Sequence, residues 1–158
     1  MEAKRISPDE AKALLDSGDG YTYLDVRTEQ EFASGHVRGA KNIPFLDRDP
    51  VRGGMAVNSL FTEQAEKNFG KDAKLICGCQ KGGRSLKAVE TLLAAGFQNV
   101  VDMRGGYGGE TDISGVLTFP GWAPRGLPTS TDSAPEDRYQ HLKSCDATSH
   151  DAKSEPLQ

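Results

Sequence analysis

The chain has 158 residues, of which 36% are hydrophobic and 27% are charged, and its formal net charge is −4. This length suits a single domain with one hydrophobic core. The negative charge argues against a general nucleic-acid binder, which usually presents a basic face. No apolar run approaches the roughly 20 residues that a membrane-spanning helix needs, so no membrane partner is expected.

Two capping boxes mark the first two helices. Ser7 can cap a helix that begins at Pro8, with Glu10 completing the box, and Thr28 with Glu31 repeats the pattern before a second, shorter helix. Strands are predicted over residues 21–26 and 40–45. The N-terminal part therefore already alternates between helix and strand.

The alternation continues through the middle of the chain. A loop is predicted over residues 46–58, a helix over 61–69, a strand over 74–78, a helix over 85–95 and a strand over 100–103. Such alternation predicts an α/β domain with a central, mainly parallel sheet of about five strands, flanked by helices. We place this domain at residues 1–129. From residue 130 the composition turns polar, which predicts a disordered tail over 130–158.

Cysteine usage and the N-terminus suggest the compartment. The three cysteines are Cys77, Cys79 and Cys145. An odd number, with two cysteines only two residues apart, is no disulfide framework and favours a reducing compartment. Residues 1–5 lack the apolar segment of a secretory signal. We expect a cytoplasmic monomer, with an organellar location left open.

The strongest candidate for chemistry is the loop that begins at Cys79. It lies between a strand and a helix, where ligands bind in open α/β sheets. Gly82 and Gly83 let the loop turn its N–H groups inward, and the following helix directs its positive end at the same space. Lys81 and Arg84 add two cationic side chains. These features would stabilise an anion and favour the thiolate, although a buried core cysteine beside an ordinary glycine turn is the alternative.

Several motifs in order resemble the rhodanese family. Its first signature is similar to Leu24-Asp25-Val26-Arg27, Glu31-Phe32 and residues 35–40, its active-site loop to residues 79–85, and its closing segment to residues 105–107 and 126–128. The similarity covers roughly residues 5–129. It implies a single rhodanese-like domain that moves sulfane sulfur from a donor such as thiosulfate to cyanide or a thiol. Cys79 would carry the sulfur as a persulfide.

This resemblance also implies a set of site residues and partners. The substrate-binding candidates are Gln80, Lys81, Gly82, Gly83, Arg84 and Arg27. The polar, cationic wall of the loop suits a small anionic donor. Thioredoxin and glutathione are candidate thiol acceptors. The covalent persulfide requires no metal or organic cofactor, and the three histidines are not spaced with the cysteines as a zinc site.

Loop length separates two related chemistries. Four residues lie between Cys79 and Arg84, whereas cysteine phosphatases and arsenate reductases of related fold use a loop that is one residue longer. The shorter loop leaves room for a single sulfur atom, and no aspartate in or beside the loop is placed to protonate a leaving oxygen. A phosphatase or arsenate reductase is therefore the less favoured alternative. A rhodanese-like module that binds partners or relays sulfur is another.

Residues around the loop are assigned mainly structural roles. Arg27 is a candidate for binding the donor, but ion pairs among Asp25, Arg27 and Glu31 that hold the loops are favoured. His36 is predicted to make structural hydrogen bonds, and Ser85 to lie near the site without reacting.

Two features are left with open roles. Cys77 is either a resolving thiol for an oxidised Cys79 or a small buried strand residue, which is favoured. Residues 108–121 are longer than the corresponding segment of simple family members, which reach a tryptophan sooner than Trp122. We hypothesise that this loop overhangs the pocket and shapes acceptor access. A surface loop without catalytic effect is equally compatible.

Overall fold

A computed structural model describes residues 3–144 of the chain. The sequence-based expectations for residues 145–158, including Cys145, lie outside this range. The helices are α1 (Pro8–Asp16), α2 (Glu29–Ser34), α3 (Phe61–Phe69), α4 (Gly83–Ala94) and α5 (Tyr139–Leu142), with a short 3₁₀ helix at Pro135–Asp137. Within the described range, no helix is long and apolar enough to cross a membrane.

The eleven strands of the described residues are β1 (Arg5–Ile6), β2 (Thr22–Asp25), β3 (His36–Val37), β4 (Lys41–Asn42), β5 (Leu46–Arg48), β6 (Met55–Val57), β7 (Lys74–Gly78), β8 (Asn99–Met103), β9 (Gly109–Thr111), β10 (Leu117–Pro120) and β11 (Thr129–Ser130). Five of them form a parallel central sheet in the order β1-β8-β7-β2-β4. The predicted α/β architecture with about five mainly parallel strands is confirmed.

Strand register brings the carboxyl ends of the central strands to one edge. Asp25 at the end of β2 lies opposite Gly78 on β7 and Asn42 on β4, and Cys77 on β7 lies opposite Asp102 on β8. The segments that follow β2, β7 and β8 therefore meet above the same edge. Both faces of the sheet are covered, with Leu75 in one hydrophobic cluster and Ile76 in the other.

Local sequence signals explain the first two helices. Ser7 and Thr28 each accept a hydrogen bond from the backbone N–H three residues later. The side chains of Glu10 and Glu31 accept from the backbone N–H of Ser7 and Thr28 in return. Both predicted capping boxes are confirmed.

Two segments expected to be loops contain hairpins instead. The strands β5 and β6 pair antiparallel within residues 46–58, and β9 pairs with β10 within residues 108–121. In the second hairpin, the Asp112 carboxylate accepts backbone hydrogen bonds from Ser114 and Val116 and thereby closes the turn. The turns are built by polar residues and glycines, which are typical of loops. The flanking strands are too short to show a clear period of two, so the sequence pattern does not reveal them.

The prediction of disorder from residue 130 is wrong for residues 130–144. Strand β11 pairs with β3, and the side chains of Tyr139 and Leu142 on α5 are buried in the core. The Tyr139 hydroxyl accepts a hydrogen bond from the Gln64 side chain at 3.0 Å. Tyr139 and Leu142, three positions apart, are enough to anchor this polar segment to the core. A prediction of disorder from average composition overlooks them. The domain therefore includes residues 130–144.

Candidate active site

Cys79 lies at the carboxyl edge of the sheet, directly after β7. Its Sγ atom accepts the backbone N–H of Gly82 at 3.1 Å and that of Ser85 at 3.4 Å. Gly82 has φ +117°, and an added Cβ would lie 3.2 Å from the Gly105 nitrogen, so the tight loop requires glycine there. The inward N–H groups form a cradle for a negative charge on the sulfur.

An open pocket of about 340 Å³ adjoins this sulfur. Its lining residues are Cys79, Gln80, Lys81, Gly83 and Arg84. Five of the six predicted site residues of the loop, 79–84, thus line the pocket, and the N–H of the remaining one, Gly82, points at the sulfur. Cys79 itself is only 2% exposed, so a reactant must reach it through this pocket.

The two predicted cations differ in their surroundings. Lys81 is exposed, and its Nζ donates to the Thr111 hydroxyl at 3.4 Å. Arg84 is half-buried and donates to both carboxylate oxygens of Glu31, at 2.8 and 3.1 Å. Burial alone would raise the pKa of Glu31, but the hydrogen bonds from Arg84 and the Thr28 backbone, with the nearby positive charges, lower it to about 2. Lys81 therefore carries the more available positive charge beside the pocket.

Arg27 is buried beneath the loop and is not among the residues that line the pocket. Its guanidinium donates to both carboxylate oxygens of Asp25 and to the carbonyl oxygen of Gly35, and it lies 4.6 Å from the centroid of the Tyr107 ring. It also donates to Gln80 Oε1 at 3.0 Å. This geometry favours the ion-pair interpretation, in which Arg27 positions Gln80.

Two other residues near the site are buried and partnered. The His36 ring stacks on Phe32, and its two nitrogens contact backbone oxygens of Phe32 and Asp132. Cys77 is fully buried, and burial raises the pKa of its thiol. Both surroundings favour the structural roles that the sequence suggests.

Comparison with known proteins assigns the chain to a family. A family model described as "Rhodanese-like domain" matches residues 7–109. The chain belongs to this family. Among curated relatives, thiosulfate sulfurtransferase 16, chloroplastic, of Arabidopsis thaliana is 46% identical over 110 residues, which are 70% of this chain and 80% of that protein. Thiosulfate sulfurtransferase 18 of the same plant is 42% identical over 108 residues, or 67% of this chain and 76% of the relative.

A solved structure also shares the rhodanese-like fold. The crystal structure of a protein from M. tuberculosis superposes with a TM-score of 0.69 and 24% identity, over 84% of this chain and all of that one. The family and the names of the two plant relatives together support sulfurtransferase activity in general.

The base of the β9–β10 hairpin touches the Cys79 loop of this rhodanese-like domain. The backbone N–H groups of Gly108 and Gly109 donate to the carbonyl oxygen of Gln80 at 2.9 and 3.3 Å. Within the described part of the chain, no residue of the hairpin itself lines the pocket. The hairpin therefore braces the loop from one side, and its effect on acceptor access stays a hypothesis.

Sequence reasoning missed one polar residue beneath the sulfur. Asp102 is fully buried on β8 and accepts hydrogen bonds from the side chains of Ser85 and Arg5. Ser85 in turn lies 3.4 Å from the Cys79 sulfur. The sequence signal that could have revealed Asp102 is a carboxylate between the apolar residues Val101 and Met103 of a predicted strand, since a charged side chain is rarely buried without a partner.

Gly106 supports the same rhodanese-like loop from behind. Its φ is +63°, and an added Cβ would lie 2.3 Å from the carbonyl oxygen of Cys79. We expect Gly106→Ala to lower the free energy of unfolding by about 3 kcal/mol or more, through backbone strain and this clash with backbone atoms. Urea denaturation measures the loss. The matched control is Gly54→Ala, with φ +73° and no atom within 4 Å of the added Cβ, which should cost only about 1–2 kcal/mol. Equal losses would show that the close approach at Cys79 is unimportant.

Proposed function

We propose that the protein moves a sulfane sulfur atom from thiosulfate, or a similar small anion, through a persulfide on Cys79 to cyanide or a thiol. The observation that carries the proposal is the position of the Cys79 sulfur. It receives the backbone N–H of Gly82 in the loop and that of Ser85 at the start of α4, and it adjoins a pocket beside Lys81. Such an arrangement stabilises a thiolate, and inward N–H groups of this kind would also stabilise the persulfide anion.

The proposed reaction has two displacements. The Cys79 thiolate attacks the outer sulfur of thiosulfate, a new S–S bond forms, and the S–S bond of the donor breaks so that sulfite leaves with the electron pair. Cyanide or a thiolate then attacks the outer sulfur of the persulfide and regenerates the Cys79 thiolate. Thiocyanate or a new persulfide leaves. This covalent route needs no metal or organic cofactor.

The charges around the pocket favour a small anion as donor. Lys81 is exposed at the pocket, while the bidentate ion pair with Glu31 partly neutralises Arg84. Lys81 would attract thiosulfate, and Gln80, held by Arg27, would offer its amide group to the oxyanion end. Glutathione and thioredoxin are the proposed thiol acceptors, and a monomer in the cytoplasm is the proposed state.

A mass measurement tests the proposal directly. After incubation with thiosulfate, the peptide that contains Cys77 and Cys79 should gain the mass of one sulfur atom, and fragmentation should place it on Cys79. Addition of cyanide should remove this mass and release an equal amount of thiocyanate. Absence of the added sulfur on Cys79 would refute the route.

Two further outcomes would point to the alternatives. Hydrolysis of an aryl phosphate or reduction of arsenate without sulfur transfer would favour the phosphatase or arsenate reductase. Sulfur uptake from a persulfide but not from thiosulfate would favour a relay module, because the sulfur would then come from another carrier.

A further inference from the structure

A chain of buried polar groups leads away from the Cys79 sulfur into the sheet. The sulfur lies 3.4 Å from Ser85 Oγ, and Ser85 Oγ donates a hydrogen bond to Asp102 Oδ1. The other carboxylate oxygen of Asp102 accepts the Arg5 Nε–H at 2.8 Å. Ser85 and Asp102 have no exposed surface. Asp102 is therefore connected to the sulfur through Ser85.

The Ser85 hydroxyl has a single hydrogen, so it can donate to only one neighbour at a time among Cys79 Sγ, Asp102 Oδ1 and the Gly82 carbonyl oxygen at 3.4 Å. When it donates to the Asp102 carboxylate, it turns a lone pair towards Cys79 and can accept the S–H of a neutral thiol. A Cys79 thiolate, in contrast, would need the hydroxyl hydrogen for itself. Asp102 Oδ1 would then lack a donor unless it carried a proton and donated to Ser85 Oγ. The geometry therefore indicates that Asp102 is protonated when Cys79 has lost its proton.

We propose that Asp102 accepts the proton of the Cys79 thiol through Ser85, so that the thiolate forms without releasing a proton to solvent. The S–H bond breaks as a new O–H bond forms on Ser85, and the original O–H bond of Ser85 breaks as Asp102 is protonated. One negative charge moves from the carboxylate to the sulfur, and the buried cluster keeps its total charge. The N–H groups of Gly82 and Ser85 receive the charge on the sulfur.

The surroundings of Asp102 suit a proton acceptor. Burial raises the pKa of its carboxyl group, opposed by the hydrogen bonds from Ser85 and Arg5 and by the charge of Arg5. The other titratable groups near it are the Cys77 thiol on β7 and the Tyr23 hydroxyl on β2, and burial raises the pKa of both. Among these neighbours only Arg5 carries a charge.

The pH dependence of Cys79 alkylation distinguishes this relay from a structural role. Iodoacetamide reacts with the thiolate. Cys77 shares a peptide with Cys79, so fragmentation of that peptide assigns the label to Cys79, while Cys145 lies on a different peptide. While Cys79 and Asp102 share one proton, the thiolate fraction is set by an internal equilibrium and does not depend on pH. The wild-type rate should therefore change by less than about threefold over about two pH units below neutrality, and rise only when the pair loses its proton.

Two variants remove the relay in different ways. Asp102→Asn keeps the shape of the side chain but cannot take up the proton, so its alkylation rate should fall about tenfold for each pH unit on the acid side. Ser85→Ala keeps the backbone N–H to the sulfur and should also lose the plateau. Circular dichroism checks that each variant folds, and if one does not, the other decides. Asp9→Asn, at an exposed ion pair with Arg125, is the matched control and should keep the plateau.

The role of the relay in catalysis rests on the proposed function, but the outcomes of this experiment distinguish the two. The alkylation assay needs no sulfur donor, so a plateau without persulfide formation would retain the relay and reject the sulfur transfer. The relay is overturned if wild-type alkylation rises tenfold per pH unit without a plateau, or if Asp102→Asn and Ser85→Ala both keep the plateau.

Discussion

Replacing Cys79 with serine should abolish persulfide formation and lower sulfur transfer from thiosulfate to cyanide by at least about a thousandfold. The two backbone N–H groups that contact the sulfur belong to Gly82 and Ser85, so the substitution leaves the cradle in place. It removes only the sulfur atom that would form the bond to the transferred sulfur. Thiocyanate production at saturating and limiting thiosulfate measures kcat and KM.

Cys77→Ser is the matched control for this experiment. Cys77 is the same residue type on the adjoining strand, but it is fully buried and does not line the pocket. We expect kcat/KM to stay within about threefold of the wild-type value, while the buried hydroxyl lowers the free energy of unfolding by about 1–3 kcal/mol. Loss of transfer in Cys77→Ser with retention in Cys79→Ser would identify Cys77 as the carrier instead.

The parts of the site that the sequence predicts are those built from neighbouring residues. The Cys79 loop, its glycines and the capping boxes at Ser7 and Thr28 are each encoded within a few positions. Their geometry therefore follows from backbone preferences and local hydrogen bonds. The order of helices and strands likewise determines that the loop ends at the carboxyl edge of a parallel sheet.

The parts that the sequence does not predict depend on contacts between distant residues. Asp102 lies 17 positions from Ser85, and Glu31 lies 53 positions from Arg84. Only the register of the strands and the packing of α2 against the loop bring these groups together. The contact with Glu31 changes the interpretation of Arg84. The sequence assigns its positive charge to substrate binding, but in the structure the Glu31 carboxylate already binds it. The ordering of α5 through Tyr139 has the same origin, since its partner Gln64 is 75 positions away.

Replacing Arg27 with methionine should lower the free energy of unfolding by about 3–5 kcal/mol. Asp25 is 2% exposed and Arg27 is 3% exposed, so the variant leaves a buried carboxylate without its counterion. It also removes donors to the Gly35 carbonyl oxygen and to Gln80. Urea denaturation at neutral pH measures the change. A loss below about 1 kcal/mol would contradict the view that this ion pair holds the loops together.

The double variant Asp25→Asn/Arg27→Met shows where that loss originates. If the cost arises mainly from the unpaired Asp25 carboxylate, removing its charge should recover at least about 1 kcal/mol relative to Arg27→Met alone. No recovery would attribute the loss to the missing contacts with Gly35 and Gln80. Arg27→Lys keeps the charge without the planar fork and should fall between wild type and Arg27→Met. A stable Arg27→Lys domain whose KM for thiosulfate rises more than about tenfold, with an unchanged KM for an uncharged sulfur donor, would instead assign Arg27 to donor binding.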